Sequence, residues 1–193
     1  MKDIVIFDTE YTSWEGSQAR KWSEEWEHRE VVQISAIRIN HQSFEKLGDS
    51  LNILVKPRIN SKLSEYFINL TSITNEDITL HGVDFLEAIT AFRNFSDNAI
   101  LYSFGNDCPL LNENIELYGL QNSVEKFSGK DIRDWATKQG IDTKKFTSGG
   151  FAEAVGAPFK TTAHYALNDV SSIHAAVKFL VHEKNYPNPF VEQ

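Results

Sequence analysis

The chain has 193 residues, of which 41% are hydrophobic and 12% aromatic, and its formal net charge is −8. This length and apolar content exclude a disordered chain and allow one domain with a core that needs no disulfide or structural metal. Cys108 is the only cysteine, which excludes an intramolecular disulfide and a cysteine-based zinc site. The negative charge disfavours long-range attraction to nucleic acid, although divalent cations at an acidic site would reverse the local charge.

Neither end of the chain suggests export or membrane insertion. The N-terminus reaches Asp8 after a few apolar residues, and no later apolar stretch approaches the length of a membrane span. Together with the single cysteine, these features lead us to expect a cytoplasmic protein.

The first predicted elements in chain order are strands. Ile4 to Tyr11 is rich in β-forming residues, Val31 to Asn40 alternates apolar and polar side chains, and Leu51 to Val55 is a third short run. Ala99 to Phe104 predicts a further buried strand, which ends at Gly105.

Helical spacing of apolar residues dominates the rest of the chain. It predicts helices over Val83 to Phe95, Pro109 to Tyr118, Asp131 to Gln139, Gly150 to Val155 and about Tyr165 to His182. Early strands and late helices favour an α/β sandwich, in which a mixed sheet begins as an antiparallel meander and carries helices on its faces.

The segment of residues 13–30 contains three of the four tryptophans among alternating charges. Trp22 and Trp26 are separated by one helical turn, so the favoured interpretation is a short amphipathic helix that covers a sheet edge. The alternative is that these two aromatic residues, with Arg20 and Lys21, form an edge of a substrate groove.

Two carboxylates lie on the first predicted strand. Asp8 and Glu10 are two residues apart, so both side chains point to the same face of the sheet. Adjacent anions at the end of a buried strand are costly unless they are paired or bind a cation, and oxygen ligands suit Mg²⁺ or Mn²⁺. A strand that simply ends in solvent is the alternative, and this pair alone does not decide between them.

Two further aspartates follow later elements. Asp107 comes directly after a predicted strand, where an aspartate commonly caps a helix but where open α/β sheets also bind ligands. Asp169 lies at the edge of the apolar stripe of the last helix, between Ala166 and Ile173. A solvated aspartate belongs on the opposite face, so the position of Asp169 favours a ligand role.

His164 precedes Asp169 by five residues, where it can reach a water bound to a metal. An imidazole suits a general base that works near neutral pH. The other five histidines have no comparable setting, and we expect them to be structural or exposed.

These residues fall within segments that together resemble the DEDDh exonuclease family of the ribonuclease H-like superfamily, in the family's order. The segments are Ile4 to Thr12, Val32 to Ala36, Leu70 to Thr74 with Asp77, Ser103 to Asp107, and Gly150-Phe151 through His164 to Val170. The likeness implies a ribonuclease H-like α/β fold with a five-stranded mixed sheet and helices on both faces. We expect the exonuclease domain over residues 1–183 and a C-terminal tail over residues 184–193.

The resemblance also implies an activity and a set of site residues. Asp8, Glu10, Asp107 and Asp169 would bind two Mg²⁺ or Mn²⁺ ions, and His164 would deprotonate the attacking water. The enzyme would hydrolyse single-stranded RNA or DNA from its 3′ end and release nucleoside 5′-monophosphates. Contacts to the terminal nucleotide are expected from Tyr11, Thr12, Leu70, Thr71 and Ile73.

Several alternatives remain open at this stage. The long segment after Thr12 resembles the branch of the family that trims RNA 3′ ends, but fold likeness does not identify the polymer that is cut. Tyr165 lies four residues before Asp169, the spacing of the base in a sister DEDDy group, although the residues after His164 favour the histidine version. Lys144 and Lys145 are candidates for local positive charge, with solvated surface lysines as the favoured interpretation. A rival hypothesis is a catalytically silent module that binds a nucleic-acid end or a protein partner.

Overall fold

The computed structural model describes residues 2–105, 107–159 and 165–191. Its strands are β1 (Ile4–Tyr11), β2 (Val31–Ile39), β3 (Leu51–Leu54), β4 (Ile100–Ser103) and β5 (Gly129–Asp131). Its helices are α1 (Ser17–Arg20), α2 (Glu65–Thr71), α3 (Asn75–His81), α4 (Phe85–Phe95), α5 (Asp107–Leu117), α6 (Ile132–Lys138), α7 (Phe151–Ala154) and α8 (Ala166–Lys184), with a 3₁₀ helix over Thr143–Lys145.

The five strands form one mixed sheet in the order β3-β2-β1-β4-β5. β1 pairs antiparallel with β2 and β2 antiparallel with β3, whereas β1–β4 and β4–β5 are parallel pairs. The predicted meander, the mixed sheet and the α/β class are therefore confirmed. β1 is the central strand, which explains why its residues Ile4 to Phe7 are fully buried.

Helices cover both faces of the sheet, and the alternation of β1 divides the core in two. Ile4 and Ile6 pack with α8 residues such as Ile173 on one face. Val5 and Phe7 pack with residues of α4 and α5 on the other. Asp8 and Glu10 continue the Ile4-Ile6 register, so they emerge on the face that α8 covers.

The predicted elements differ from the observed ones mainly where the elements are short. α2, α3 and β5 were missed: the two helices have only 7 residues each and β5 has 3, too few for a hydrophobic period to emerge. The sequence Gly129-Lys130-Asp131 carries no apolar alternation at all. The sequence did contain a local signal for α3, because Thr74 and Asp77 form a capping box at its start.

The prediction of an amphipathic helix that carries Trp22 and Trp26 is wrong. α1 is only 4 residues long and ends at Arg20. Lys21 and Trp22 have φ values of 58° and 51°, a left-handed conformation that cannot continue an α-helix. Trp22 and Trp26 instead belong to an irregular segment, where Trp26 packs edge-on against Trp14 with ring centroids 4.9 Å apart.

Glu30 attaches the end of this segment to the rest of the fold. Its side chain is fully buried and accepts hydrogen bonds from the backbone N–H groups of Arg58, Ile59 and Asn60 and from the Tyr118 hydroxyl. Its backbone N–H donates to Thr12 Oγ1 at 2.9 Å. Both ends of the residue 13–30 segment are therefore fixed at the same place, beside the end of β1.

The chain beyond α8 returns to the core through Phe190, which is buried against Phe44 and Tyr102. The domain boundary at residue 183 stays a prediction. Among the helices that the structure describes, none combines the length and apolar character required to cross a membrane.

Candidate active site

The site is built on the C-terminal half of the central strand β1. Asp8 and Glu10 project from the face covered by α8, opposite Ser35 and Gln33 of β2. Asp8 is only 6% exposed, and Glu10 is partly buried. The prediction that both carboxylates lie on one face of the sheet is confirmed. Both side chains line a cavity at this end of β1.

Asp169 meets these two carboxylates from above the sheet. It lies in the first turn of α8 and is 2% exposed. Asp8, Glu10 and Asp169 each offer a carboxylate oxygen such that the three atoms lie within 4.8 Å of one another. The Ser148 hydroxyl donates to Asp169 Oδ2 at 2.7 Å, a contact that the sequence analysis missed because an isolated serine before a Gly-Gly pair carries no distinguishing pattern.

Asp107 approaches from the other side of the strand. It is the first residue of α5, and its Oδ1 accepts hydrogen bonds from the backbone N–H and the hydroxyl of Thr9 at 3.1 and 2.5 Å. It lines the same cavity as Asp8, Glu10 and Asp169, although the group of three closest carboxylates does not include it. The predicted four carboxylates thus share one cavity, with one of them tied back to β1.

Burial and mutual repulsion shift the protonation of this group. Burial raises the pKa of Asp8 well above its usual range, and the charges of Asp107, Asp169 and Glu10 add to the shift. Burial also raises the pKa of Glu10 to about 8, again reinforced by Asp169 and Asp107. The pKa of Asp107 is raised by burial, against the opposing effect of its hydrogen bonds from Thr9 and Ser103.

The donor set fits a hard divalent cation. Buried carboxylates that repel one another are stabilised when a cation is placed between them, and an all-oxygen set suits Mg²⁺ or Mn²⁺ rather than a softer metal. The raised pKa values of Asp8 and Glu10 have the same cause, because burial and the neighbouring carboxylates both disfavour the charged form.

Polar side chains of β2 and β3 contact the start of α8. The backbone N–H of Ala166 donates to Gln33 Oε1 at 3.1 Å, and Gln33 Nε2 donates to Asn52 Oδ1 at 2.9 Å. Asn52 Nδ2 in turn donates to the Tyr165 hydroxyl at 2.9 Å. Tyr165 is therefore engaged with β3, as expected for a tyrosine that is turned aside. His164, the predicted general base, lies outside the described residues.

The carboxylates open into a cavity of about 720 Å³. Of the residues predicted to contact the terminal nucleotide, Tyr11 and Leu70 line it. Tyr66, which was missed, lines it as well, and its position four residues before Leu70 on α2 is the signal that could have identified it.

The other three predicted contact residues have their side chains elsewhere. Thr12 is buried, and its hydroxyl donates to the His28 carbonyl. Thr71 is 2% exposed and donates to the Phe67 carbonyl at 2.9 Å. Ile73 packs in a small core cluster with Phe67. The structure does not bring these side chains to the cavity, and their part in substrate binding stays a prediction.

Cationic and aromatic side chains surround the acidic floor. Lys144 and Lys145 line the cavity. Trp22, which was predicted there only as an alternative, lines it as well. Arg29 and Arg133 also line it and were not predicted. Arg20 and Lys21 do not line the cavity. The partly exposed Arg20 side chain forms an ion pair with the buried carboxylate of Glu27. Single arginines in a polar segment carry no periodic signal, so only the fold identifies Arg29 and Arg133.

Comparison with known proteins agrees with this geometry. The exonuclease family model RNase_T matches residues 5–177 of the chain. A protein of Rattus norvegicus named 3′-5′ exoribonuclease 1 is 36% identical over 75 residues, which is 39% of this chain and 20% of that protein. The match thus spans only about a fifth of the relative's length.

Solved exonuclease structures share the fold at low sequence identity. The nuclease domain of 3′hExo, a DEDDh family member bound to rAMP, aligns with a TM-score of 0.75 at 20% identity, covering 94% of this chain and 92% of that one. A 3′-exonuclease that recognises the histone mRNA stem-loop aligns with a TM-score of 0.77 at 18% identity, over 94% and 82%. The E. coli ExoI–ssDNA complex gives 0.69 at 16%, over 96% and 42%.

These structural likenesses concern the fold, whereas the family model reaches from the first residues of β1 into α8 and includes all four carboxylates. The chain therefore belongs to the exonuclease family, and it shares its fold with a DEDDh family member.

Proposed function

We propose that this chain is a 3′→5′ exonuclease of single-stranded RNA or DNA that releases nucleoside 5′-monophosphates. The observation that carries the proposal is the set of three carboxylates within 4.8 Å, two buried and one partly buried, with a fourth on the same cavity, in a chain of the exonuclease family. Carboxylates gathered in this way repel one another at a cost to stability, and their shifted pKa values in a cavity point to a function.

The four carboxylates are proposed to hold two Mg²⁺ or Mn²⁺ ions. Bound ions of this kind supply positive charge to a phosphate and lower the pKa of a coordinated water. Asp8, Glu10 and Asp169 provide the closest set of oxygens. Asp107 Oδ1 accepts both hydrogen bonds from Thr9, which orients the carboxylate at the cavity.

His164 is proposed to accept the proton of the attacking water. Its support is the spacing to Asp169 and the engagement of the rival group, because the Tyr165 hydroxyl accepts a hydrogen bond from Asn52 rather than facing the carboxylates. Neutral imidazole accepts a proton near pH 7, whereas a phenol ionises near pH 10.

The terminal nucleotide is proposed to lie on Tyr66 and Leu70 of α2 and on Tyr11 of β1, all of which line the cavity. Tyr66 is 39% exposed, which leaves part of its ring available for stacking. Such contacts recognise any base by its flat face, so we expect little sequence preference.

The polymer is proposed to be single-stranded because only a flexible strand can bring its end to buried carboxylates. The rat relative is named as an exoribonuclease and the 3′hExo-type structures concern RNA or rAMP, whereas the E. coli relative binds single-stranded DNA. Parallel digestion of matched RNA and DNA strands decides between them.

Digestion is proposed to begin at a free 3′ end, the polarity that the names of the similar exonucleases give. With Mg²⁺, a 5′-labelled linear strand should shorten progressively, and a label in the last internucleotide phosphate should appear at once as a mononucleotide. A circular strand of the same sequence should resist. Comparable cutting of the circle would indicate an endonuclease, and binding without cutting of the linear strand would support the silent module instead.

Loss of a carboxylate should abolish activity without unfolding the protein. Asp8→Ala and Asp107→Asn should each lower turnover by at least about 10³-fold, because each removes an anionic ligand. EDTA should have the same effect on the unmodified protein. Circular dichroism and thermal melting should show intact folding, and the exposed Asp49→Asn should keep full activity. Near-normal turnover by either site variant would refute the metal assignment.

The general base is tested by two adjacent substitutions. His164→Ala should lower the rate on the order of 10²- to 10⁴-fold, the range expected for loss of a general base. Tyr165→Phe should stay within a few-fold, since its hydroxyl only accepts a hydrogen bond from Asn52. The single-turnover rates of the two variants at saturating Mg²⁺ measure both effects. The opposite ranking, with both variants folded and metal-bound, would make Tyr165 the base.

The ionisation of Glu10 should destabilise the metal-free protein at high pH. Its folded pKa of about 8 lies above the ordinary glutamate value of 4.5, so its stabilising contribution is complete below pH 4.5 and is lost as the pH rises through 8. In chelator, Glu10→Gln should melt at nearly the same temperature as the unmodified protein at pH 4 and at least about 3 °C higher at pH 9.

Two further measurements make this result specific. Excess Mg²⁺ at pH 9 should remove the advantage of Glu10→Gln, because the cation compensates the carboxylate only in the unmodified protein. Glu25→Gln, at an exposed position, controls for the general loss of one negative charge. A difference between Glu10→Gln and the unmodified protein that is independent of pH would contradict the assigned pKa.

A further inference from the structure

Arg29 occupies a distinctive place at the edge of the cavity. It lies two residues before β2, at the end of the residue 13–30 segment, and its side chain is 32% exposed. Its guanidinium carbon is 5.5 Å from the centroid of the Trp22 ring, and both residues line the cavity. A cation on an aromatic ring keeps its charge while its position is restricted.

The ring beneath Arg29 is attached to the strand that carries the carboxylates. Trp22 Nε1 donates to the Thr12 carbonyl at 3.1 Å, and the Trp22 ring lies 5.5 Å from the ring of Tyr11, the neighbour of Glu10. Tyr11, Trp22 and Arg29 thus form a continuous wall, which we call the Arg29 wall. These contacts fix the position of the Arg29 wall relative to the end of β1.

The only ion-pair partner of Arg29 within the described residues is Glu113 of α5, which is 48% exposed. Both carboxylate oxygens of Glu113 accept from Nη2 of Arg29. Across the described ranges, Nε and Nη1 of Arg29 have no hydrogen-bond partner. An exposed pair of this type contributes little to stability, so exchange of its partner costs little.

We propose that Arg29 binds a phosphate of the substrate strand upstream of the scissile one, and that Glu113 holds the guanidinium until the strand replaces it. The proposal rests on the proposed exonuclease function. A strand that ends in a 3′-hydroxyl has no phosphate beyond the scissile one on its 3′ side. A phosphate away from the carboxylates therefore belongs to an upstream nucleotide.

Charge and geometry support an arginine in this role. The whole chain has a net charge of −8, so the strand must be held by local cations rather than by the overall field. A guanidinium with free donors forms bidentate, charge-assisted hydrogen bonds to phosphate, which are stronger than its exposed bond to a carboxylate. Its contact with the Trp22 ring restricts the guanidinium before binding, which reduces the conformational freedom lost when phosphate binds.

Affinity measurements test Arg29 and Glu113 separately, and the two substitutions should change the affinity in opposite directions. The probe is a 5′-fluorescent single-stranded RNA of eight nucleotides in Ca²⁺, with cleavage monitored in the same samples. Arg29→Ala should weaken binding by roughly tenfold and reduce the slope of log Kd against log salt by about 0.7, the value for one lost phosphate contact. Glu113→Gln should tighten binding by about twofold or more, because a competitor for Arg29 loses its charge.

The chain offers a matched control for each substitution. Arg58 also lies over an aromatic ring, that of Tyr118, and pairs with Asp84, but it does not line the cavity. Glu116 lies on α5 like Glu113 and pairs with Lys126. Arg58→Ala and Glu116→Gln change the net charge by the same amounts, and both should leave affinity within about twofold of the unmodified protein.

Substrate length separates this inference from the proposed function. A dinucleoside monophosphate carries only the scissile phosphate, so Arg29→Ala should leave its kcat/KM unchanged while lowering kcat/KM for the eight-nucleotide strand. An equal loss on both substrates, or a Glu113→Gln variant that binds more weakly, would overturn the role of Arg29 and leave the exonuclease intact. Unmodified protein that cuts no strand would refute the proposed function instead, and equal affinity of Arg29→Ala and the unmodified protein would refute the inference alone.

Discussion

Mutual repulsion of buried carboxylates is the constraint on which this structure depends. Asp8, Glu10 and Asp169 meet within 4.8 Å at a place where little solvent can screen them. The surrounding fold must therefore hold them together against their own charges in the metal-free state. It does so with apolar burial directly behind the site, because Ile4 and Ile6 of β1 pack against α8 in the same register that carries Asp8 and Glu10. The hydrophobic contact area of one strand and one helix thus offsets the electrostatic cost at their ends.

Apolar packing alone cannot fix the rotation of α8 to the accuracy that a metal site needs. A buried hydrogen bond supplies a directional restraint. Gln33 lies opposite Glu10 on β2 and accepts from the first N–H of α8, and the more exposed Asn52 connects Gln33 to the Tyr165 hydroxyl. Because an unmade buried hydrogen bond is costly, the bond to Gln33 favours the rotation of the helix that turns Asp169 toward β1.

Sequence patterns predicted those features that repeat along one element. The two-residue spacing of Asp8 and Glu10 and the apolar stripe beside Asp169 are periodic, so their faces could be assigned without a structure. Features that depend on contacts between distant segments could not. Asp107 lies at the start of a helix, where an aspartate can either cap the helix or bind a ligand. Only its hydrogen bonds from Thr9, 98 residues away, show that it turns toward β1. Trp22 was assigned to a helix by its four-residue spacing from Trp26, but the left-handed conformations of Lys21 and Trp22 break that period.

The same distinction explains how an acidic protein can be suited to a polyanion. Net charge is a property of composition, and at −8 it disfavours binding, whereas the fold determines which charges face the strand. Here the cavity gathers Arg29, Arg133, Lys144 and Lys145 around its acidic floor. Arg133 is held by the Phe104 carbonyl and ring, as Arg29 is held by Trp22, so two of the four cations are fixed on aromatic supports. Fixed cations at the rim and clustered carboxylates at the floor suit a ligand that combines phosphate with a divalent cation.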